Sequence, residues 1–243
     1  GRRLVVPRLR RRSGLGDRMT SARVVAIDGP AGSGKSTVAR KVAEALGLPA
    51  LDTGAMYRAL TWAVLDEEID PADARAVAAL AERLDLDVGP PVLVGGRDVN
   101  DAIRTADVSA AVSVVAAVPE ARVILVRAQR EWIAGHGGGV VEGRDIGTVV
   151  APDALLKIYL VASEEERARR RQEQDGAAEA RGDLDATQAA IRRRDAIDSG
   201  RAASPLAAAE DAVVLDTTDL SVEGVVEEVL RRYRAALEAA ERT

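Results

Sequence analysis

Val24-Val25-Ala26-Ile27-Asp28-Gly29-Pro30-Ala31-Gly32-Ser33-Gly34-Lys35-Ser36-Thr37-Val38 is the stretch whose reading decides the fold. Val24 to Ile27 form an uninterrupted apolar run, as in a strand buried on both faces of a parallel sheet. After the glycine-rich segment, Val38, Val42 and Leu46 recur at helical spacing, and Gly47 is placed to end that helix. From Gly29 to Ser36 every fixed position of G-x-x-x-x-G-K-[ST] is filled. Glycines at 29, 32 and 34 let the backbone turn so that successive N–H groups point at one anion, and the positive end of the helix dipole reinforces them. Gly29, Pro30, Ala31, Gly32, Ser33, Gly34, Lys35, Ser36 and Thr37 are therefore the expected triphosphate-binding loop. Lys35 is its catalytic cation on the outer phosphates, and the Ser36 hydroxyl is the candidate ligand for Mg²⁺. The chain has three lysines (35, 41 and 157) among 34 basic residues, so a lysine where the loop needs a compact point charge is not a compositional accident.

Outward from this stretch the pattern is strand, loop, helix, repeated. Pro49 to Asp52 reads as a second strand, followed by a helix through Met56, Leu60 and Val64. Asp70-Pro71 reads as a capped start for a helix burying Val77, Leu80 and Leu84. Between Leu86 and Val99, Pro90-Pro91 and Gly95-Gly96 punctuate short segments, which predicts a small antiparallel hairpin unit. Helices are expected from Val108 and from Pro119 to about Ile133. Val140-Val141, Leu155 to Val161 and Ala212 to Leu215 supply three further buried strands. Ser163 with Glu166 is a capping-box pattern, and a last helix buries Val222, Val226, Val229, Leu230, Tyr233 and Leu237. The expected fold class is α/β: five parallel strands flanked by helices.

With no cysteine, disulfides, thiolate metal sites and thiol nucleophiles are excluded. No apolar run approaches the length needed to cross a bilayer, so no membrane role is expected. Residues 1–23 carry eight arginines against Asp17, and the remainder is strongly acidic, which argues against a nucleic-acid polymer as partner. Residues 1–22 read as a disordered basic leader or an upstream translation artefact, with Met19 as a plausible start.

Asn100 is followed by Asp101, so the Asn-Lys-x-Asp segment that reads guanine is missing, and Val140-Val141-Glu142-Gly143 lacks the acidic pair of large motor ATPases. What remains is a kinase for a small anionic acceptor, which needs arginines on both sides of the transferred group. Arg58, Arg144, the run within 167–171, Arg192, Arg193, Arg194 and Arg201 are available, though those in 167–171 suit exposed ion pairs with Glu164 to Glu166 equally well. His136, in a glycine-rich segment, reads as a loop residue, and Trp62 and Trp132 as packing groups.

Gly29 to Thr37, Leu51-Asp52-Thr53-Gly54-Ala55-Met56-Tyr57-Arg58, Ile103-Arg104-Thr105, Gly143-Arg144-Asp145-Ile146-Gly147-Thr148-Val149-Val150 and Arg194 to Arg201 together resemble bacterial cytidylate kinase. The resemblance spans residues 23–238. It implies a P-loop NTPase sandwich with a core of 23–65, 119–166 and 193–238, an insert that binds the nucleoside monophosphate (66–118), a helical lid (167–192), and a tail (239–243). It implies ATP and CMP or dCMP as substrates, Mg²⁺ with the ATP, a monomer, and the cytoplasm. Thr53 would lie near the acceptor sugar; Arg58, Arg144 and Arg201 would hold its phosphate; Ser113, Arg122 and Asp145 would read cytosine; Arg194 and Asp198 would approach the ribose. Lys35, Arg144, Asp145 and Arg194 form the implied catalytic set. Glu142 stands where many relatives have Asp, and Thr53 where they have Ser, each keeping the functional group. Closure of lid and acceptor region over the substrates is expected to exclude water.

The cytosine assignment has a chemical basis. A carboxylate accepts from the exocyclic amino group, whereas uracil presents a carbonyl at the same place. A pocket built on such a bond rejects the mismatch by up to ~10⁴. The alternatives are a kinase for another small acceptor, such as UMP or a hydroxyl-bearing metabolite, and a nucleotide-binding regulator without turnover.

Overall fold

The computed structural model describes residues 23–174, 184–201 and 204–242. The basic leader of residues 1–22 and positions 175–183 of the expected lid lie outside the described residues. Two compact units emerge, one containing Asp52–Gly135 and the other the described parts of Leu15–Leu51 and His136–Thr243.

The second of these carries the strand that opens the sequence argument. β1 (Val24–Asp28) is buried along its whole length, as its apolar run requires, and lies at the centre of a five-stranded parallel sheet. Its partners are β2 (Ala50–Asp52), β6 (Gly139–Gly143), β7 (Leu156–Val161) and β8 (Val213–Asp216), in the order β2-β6-β1-β7-β8. β1 pairs with β6 in a register that sets Ile27 opposite Glu142 and Asp28 opposite Gly143. Both strands thus end at the same edge of the sheet, and the phosphate loop and the Arg144-Asp145 segment leave it side by side. Ligands of parallel α/β sheets are gathered at this carboxyl edge.

α1 (Lys35–Leu46) starts at Gly34 and stops at Gly47, whose left-handed backbone (φ 62°) closes the helix with N–H bonds to Ala43 and Glu44 carbonyls. α8 (Val222–Glu241) lies on the same apolar core. Val38, Val42, Val225, Val229 and Tyr233 pack there with Val25, Ile27, Val140, Ile158 and Leu160. Val222, expected inside, is 36% exposed, and Val225 takes the buried position instead. The first-turn capping of α6 (Glu164–Gln174) is half as expected. Glu166 N–H donates to Ser163 Oγ at 3.2 Å, but the Glu166 carboxylate turns to Arg169 and Arg170 rather than back to the cap. Charge-assisted bonds to two guanidiniums outweigh one to a backbone amide. α7 (Leu184–Ser199) precedes β8.

In the other unit α2 (Thr53–Asp66) opens with the Asp52 carboxylate accepting Ala55 N–H at 2.9 Å. α3 (Ala74–Arg83) begins later than Asp70-Pro71 predicts. Asp73 caps it by accepting Ala76 N–H, while Asp70 accepts Ala72 N–H in a local turn. Two acids three residues apart compete for one cap, and the second is nearer the apolar face of Val77, Leu80 and Ala81. β3 (Leu86–Asp87), β4 (Leu93–Val94) and β5 (Arg97–Asp98) make the expected antiparallel unit. A short 3₁₀ turn (Ala102–Arg104), α4 (Ala106–Val115) and α5 (Pro119–His136) complete this region. His136, expected in a loop, is the exposed last residue of α5. Trp62 packs on a core of Ala55, Ala59, Val92, Val99 and Ile103, with the Arg97 guanidinium 5.1 Å from its ring centre. Among the described residues no single helix is long and apolar enough to cross a membrane.

Candidate active site

Gly29 begins the phosphate loop at φ 148°, where a Cβ would stand 2.2 Å from the Leu160 carbonyl oxygen of β7. Only glycine lets the chain turn out of the sheet so close to its neighbour. Inside the loop the Lys35 ammonium donates to the Pro30 carbonyl at 2.6 Å and to Ser33 Oγ at 3.3 Å. Burial, then the positive charges of Arg144 and Arg194, hold Lys35 well below its ordinary range, to about 7; Glu142 and Asp28 oppose this. The convergence of three cations on one buried point is an arrangement that a polyanion stabilises.

The Ser36 hydroxyl donates to Glu142 Oε1 at 2.5 Å, joining the start of α1 to the end of β6. Among the described residues no cluster of three or more His, Cys, Asp or Glu side chains could hold a metal alone. A hydroxyl and one carboxylate fit Mg²⁺, which keeps waters and shares substrate phosphates rather than occupying an all-protein cage.

Asp28 is buried and accepts Ile146 N–H at 2.9 Å and Gly147 N–H at 2.8 Å. Burial chiefly, with the nearby Asp145 charge, pushes its carboxyl up to about 6 against the pull of these two amides and Lys35. The two bonds fix the turn that carries Arg144 and Asp145, and the π-helical turn Ile146–Val150 follows, with Val149 N–H on the Asp145 carbonyl at 2.8 Å. From α7, Asp198 gathers three guanidiniums. Arg144 Nε donates to it at 3.1 Å, Arg201 is hydrogen-bonded to it, and Arg194 Nε is 4.0 Å away. At 2% side-chain exposure, this carboxylate sets the spacing of the cations around it.

A cavity of about 410 Å³ opens beside the loop, lined by Gly34, Thr37, Arg169, Arg170, Thr217 and Val222 among others. Arg170 walls it, donating to the Thr217 hydroxyl at 2.9 Å and the Thr217 carbonyl at 2.6 Å.

In the Asp52–Gly135 unit, Thr53, Arg58, Ser113 and Arg122 are all buried. Arg58 donates to the Ile103 carbonyl and to Ser109 Oγ, both at 3.0 Å. Ser109 lies one turn before Ser113 on α4, so Arg58 and Ser113 border the same helix face. Arg122 donates to the Ala116 carbonyl at 3.1 Å, and its guanidinium lies 5.2 Å from the ring centre of Tyr57, next to Arg58. Arg58 and Arg122 are thereby tied to Ser109 and Tyr57, with Ser113 one turn from Ser109 and Thr53 buried at the start of α2.

With this geometry in place, a family model described as cytidylate kinase matches residues 25–235. The chain belongs to the cytidylate kinase family. A cytidylate kinase from Mycolicibacterium paratuberculosis is 53% identical over 91% of this chain and 100% of its own length. A cytidylate kinase from Streptomyces griseus is 49% identical over 85% of this chain and 90% of its own. Among solved structures, a gluconokinase from Sinorhizobium meliloti aligns with a TM-score of 0.50 at 17% identity, over 91% of this chain and 97% of that one. At that identity the likeness concerns the fold, a P-loop kinase sandwich. The structure shows four contacts that the sequence reading did not single out: Asp28 with Ile146 and Gly147, Tyr57 with Arg122, Arg58 with Ser109, and Ser36 with Glu142; Asp198 was expected, but not that Arg144, Arg194 and Arg201 gather on it. Only the strand-end position of Asp28 and Glu142 was a visible signal for any of them.

Proposed function

We propose that the chain is a cytidylate kinase that moves the γ-phosphoryl group of ATP onto the phosphate of CMP or dCMP. The observation that carries this reading is that the charges of Arg144 and Arg194 both act on buried Lys35, with buried Asp145 next to Arg144 in the chain and acting on Asp28. The 29–37 loop holds the triphosphate, chiefly through the backbone amides of its 32–37 part, and the 410 Å³ cavity next to it takes the donor nucleoside. Ser36 and Glu142 would hold the Mg²⁺ that accompanies ATP, where it would draw negative charge off the phosphate oxygens.

Arg58, Arg144 and Arg201 bind the CMP phosphate, Thr53 lies by the sugar, and Arg194 and Asp198 serve the ribose side. Ser113, Arg122 and Asp145 read cytosine, Asp145 accepting from the amino group. With both substrates bound, the acceptor phosphate oxygen attacks the γ-phosphorus in line as the bond to the β–γ bridging oxygen breaks. Lys35, Arg144 and Arg194 stabilise the charge on the transferring group. Positioning supplies most of the acceleration, so no side chain needs to act as a strong base. The lid assignment of 167–192 and the insert of 66–118 belong to this same proposal, with water excluded when they close. Every group used lies on one chain, so the enzyme acts as a monomer; we place it in the cytoplasm, where ATP and nucleoside monophosphates meet.

Lys35→Ala tests the reading. Turnover with CMP is expected to fall about 100- to 1000-fold, with an unchanged circular-dichroism spectrum. Near-normal turnover would remove Lys35 from the transfer step.

A further inference from the structure

Asp195 stands out because a carboxylate has no evident place on an anion-binding loop. Ala31 N–H nevertheless donates to Asp195 Oδ1 at 3.1 Å. The Ala31 carbonyl accepts from Arg167 Nη1 at 3.1 Å, and Arg167 is itself hydrogen-bonded to Asp195 Oδ2. The two successive peptide groups that flank Ala31 in the phosphate loop are thus each held, one by its N–H and the next by its carbonyl, by an ion pair with side-chain exposures of only 8% and 17%. Packing supports the same contact. The Ala31 side chain is buried with Ala168 of α6 and Ile191 of α7. A Cβ on Gly32 would stand 2.6 Å from the Arg167 carbonyl oxygen, so the loop backbone sits directly on α6.

We propose that Asp195 is a positioning residue: with Arg167 it clamps the backbone on both sides of Ala31 and so fixes the rotation of α7, which aims Arg194 at the transferring phosphoryl group. Consecutive helical residues point about 100° apart, as 3.6 residues per turn require. Asp195 therefore faces the outside of the loop while Arg194, next to it, is directed towards Lys35, whose charge it perturbs, and Asp198. Arg201 and Asp198, at the far end of the same segment, are held in the same setting. The inference rests on the role given to Arg194 above.

The test is a mutant cycle read in three quantities: kcat with CMP, KM for ATP, and ATP affinity by calorimetry without acceptor. Asp195→Asn can still accept from Ala31 but sets an amide against the Arg167 guanidinium. It is expected to lower kcat by about 100-fold, the scale of a 1 Å misplacement, with ATP affinity within about threefold of wild type, because Lys35 and the amides beyond Ala31 are untouched. Arg167→Lys keeps the charge but cannot span both Asp195 and the Ala31 carbonyl. It provides a milder break of the same clamp and is expected to lower kcat in the same direction. In an Arg194→Met background, Asp195→Asn is expected to change kcat less than threefold, because the group it positions is gone. An equal loss in both backgrounds, or a loss of ATP affinity in step with kcat, overturns the inference. A wild-type enzyme that fails to phosphorylate CMP overturns the functional reading instead.

Discussion

A lysine held near a pKa of 7 is mostly neutral in the free protein at pH 8, and this makes Lys35 readable by proton counting. Its folded value lies below its unfolded one, so the unfolded chain binds more protons between the two. The charge of Lys35 therefore weighs against folding below about pH 7, and that penalty is relieved as pH rises towards the ordinary lysine range. A bound triphosphate reverses the balance by favouring the ammonium. ATP binding at pH 8 is expected to take up most of a proton, seen as a dependence of the calorimetric enthalpy on buffer ionisation enthalpy. The uptake is expected to vanish at pH 5.5 and in Lys35→Met; an uptake that persists in the variant would assign it elsewhere. Asp145 gives a second residue-scale prediction. Asp145→Ala is expected to narrow the CMP-over-UMP ratio of kcat/KM by at least about 100-fold, since one buried recognition bond carries a large share of such discrimination. An unchanged ratio would refute its base-reading role. Lys35 was legible from its motif. Asp28 and Glu142 were visible only as acids at strand ends; their contacts were not, because the partners lie 118 and 106 positions away and no local pattern encodes such pairs.

Among elements, the strand–loop–helix unit was the most legible, because its apolar run, its glycines and its helical period are local signals that agree. The predicted strands followed from their continuous apolar runs, and the antiparallel unit from the punctuation of Pro90-Pro91 and Gly95-Gly96. Helix starts were less legible. Asp70 and Asp73 carry the same capping chemistry, and only the buried face of α3 decides between them. The capping box at α6 failed on its second half because Arg169 and Arg170 offer Glu166 stronger partners, which also lower its pKa to about 2. Two substitutions rank these contributions in chemical unfolding. Ser163→Ala removes one cap bond and is expected to destabilise by about 1 kcal/mol. Gly29→Ala drives a Cβ into the β7 backbone and is expected to cost about 3 kcal/mol. Equal, small losses would mean that the loop and β7 can move apart.

At the scale of the whole molecule, the arginine-rich composition makes sense as a distribution of guanidiniums over two tasks. Some, such as Arg169 and Arg231, make exposed ion pairs with Glu166 and Glu228 and are worth little individually. Others, such as Arg144 and Arg201, are gathered by the one buried carboxylate of Asp198. Sequence spacing alone could not separate the two groups in residues 164–201, since both look like i,i+3 and i,i+4 partners. The resemblance to cytidylate kinases proposed a division that periodicity could not supply. The central claim is that this arrangement selects cytosine and transfers phosphate to it. It is tested most directly by coupled measurement of ADP release with CMP, dCMP, UMP, AMP and dTMP as acceptors. CMP and dCMP are expected to lead the others by orders of magnitude in kcat/KM. Comparable rates with UMP, or ADP release with none of the five despite measurable ATP binding, would contradict it.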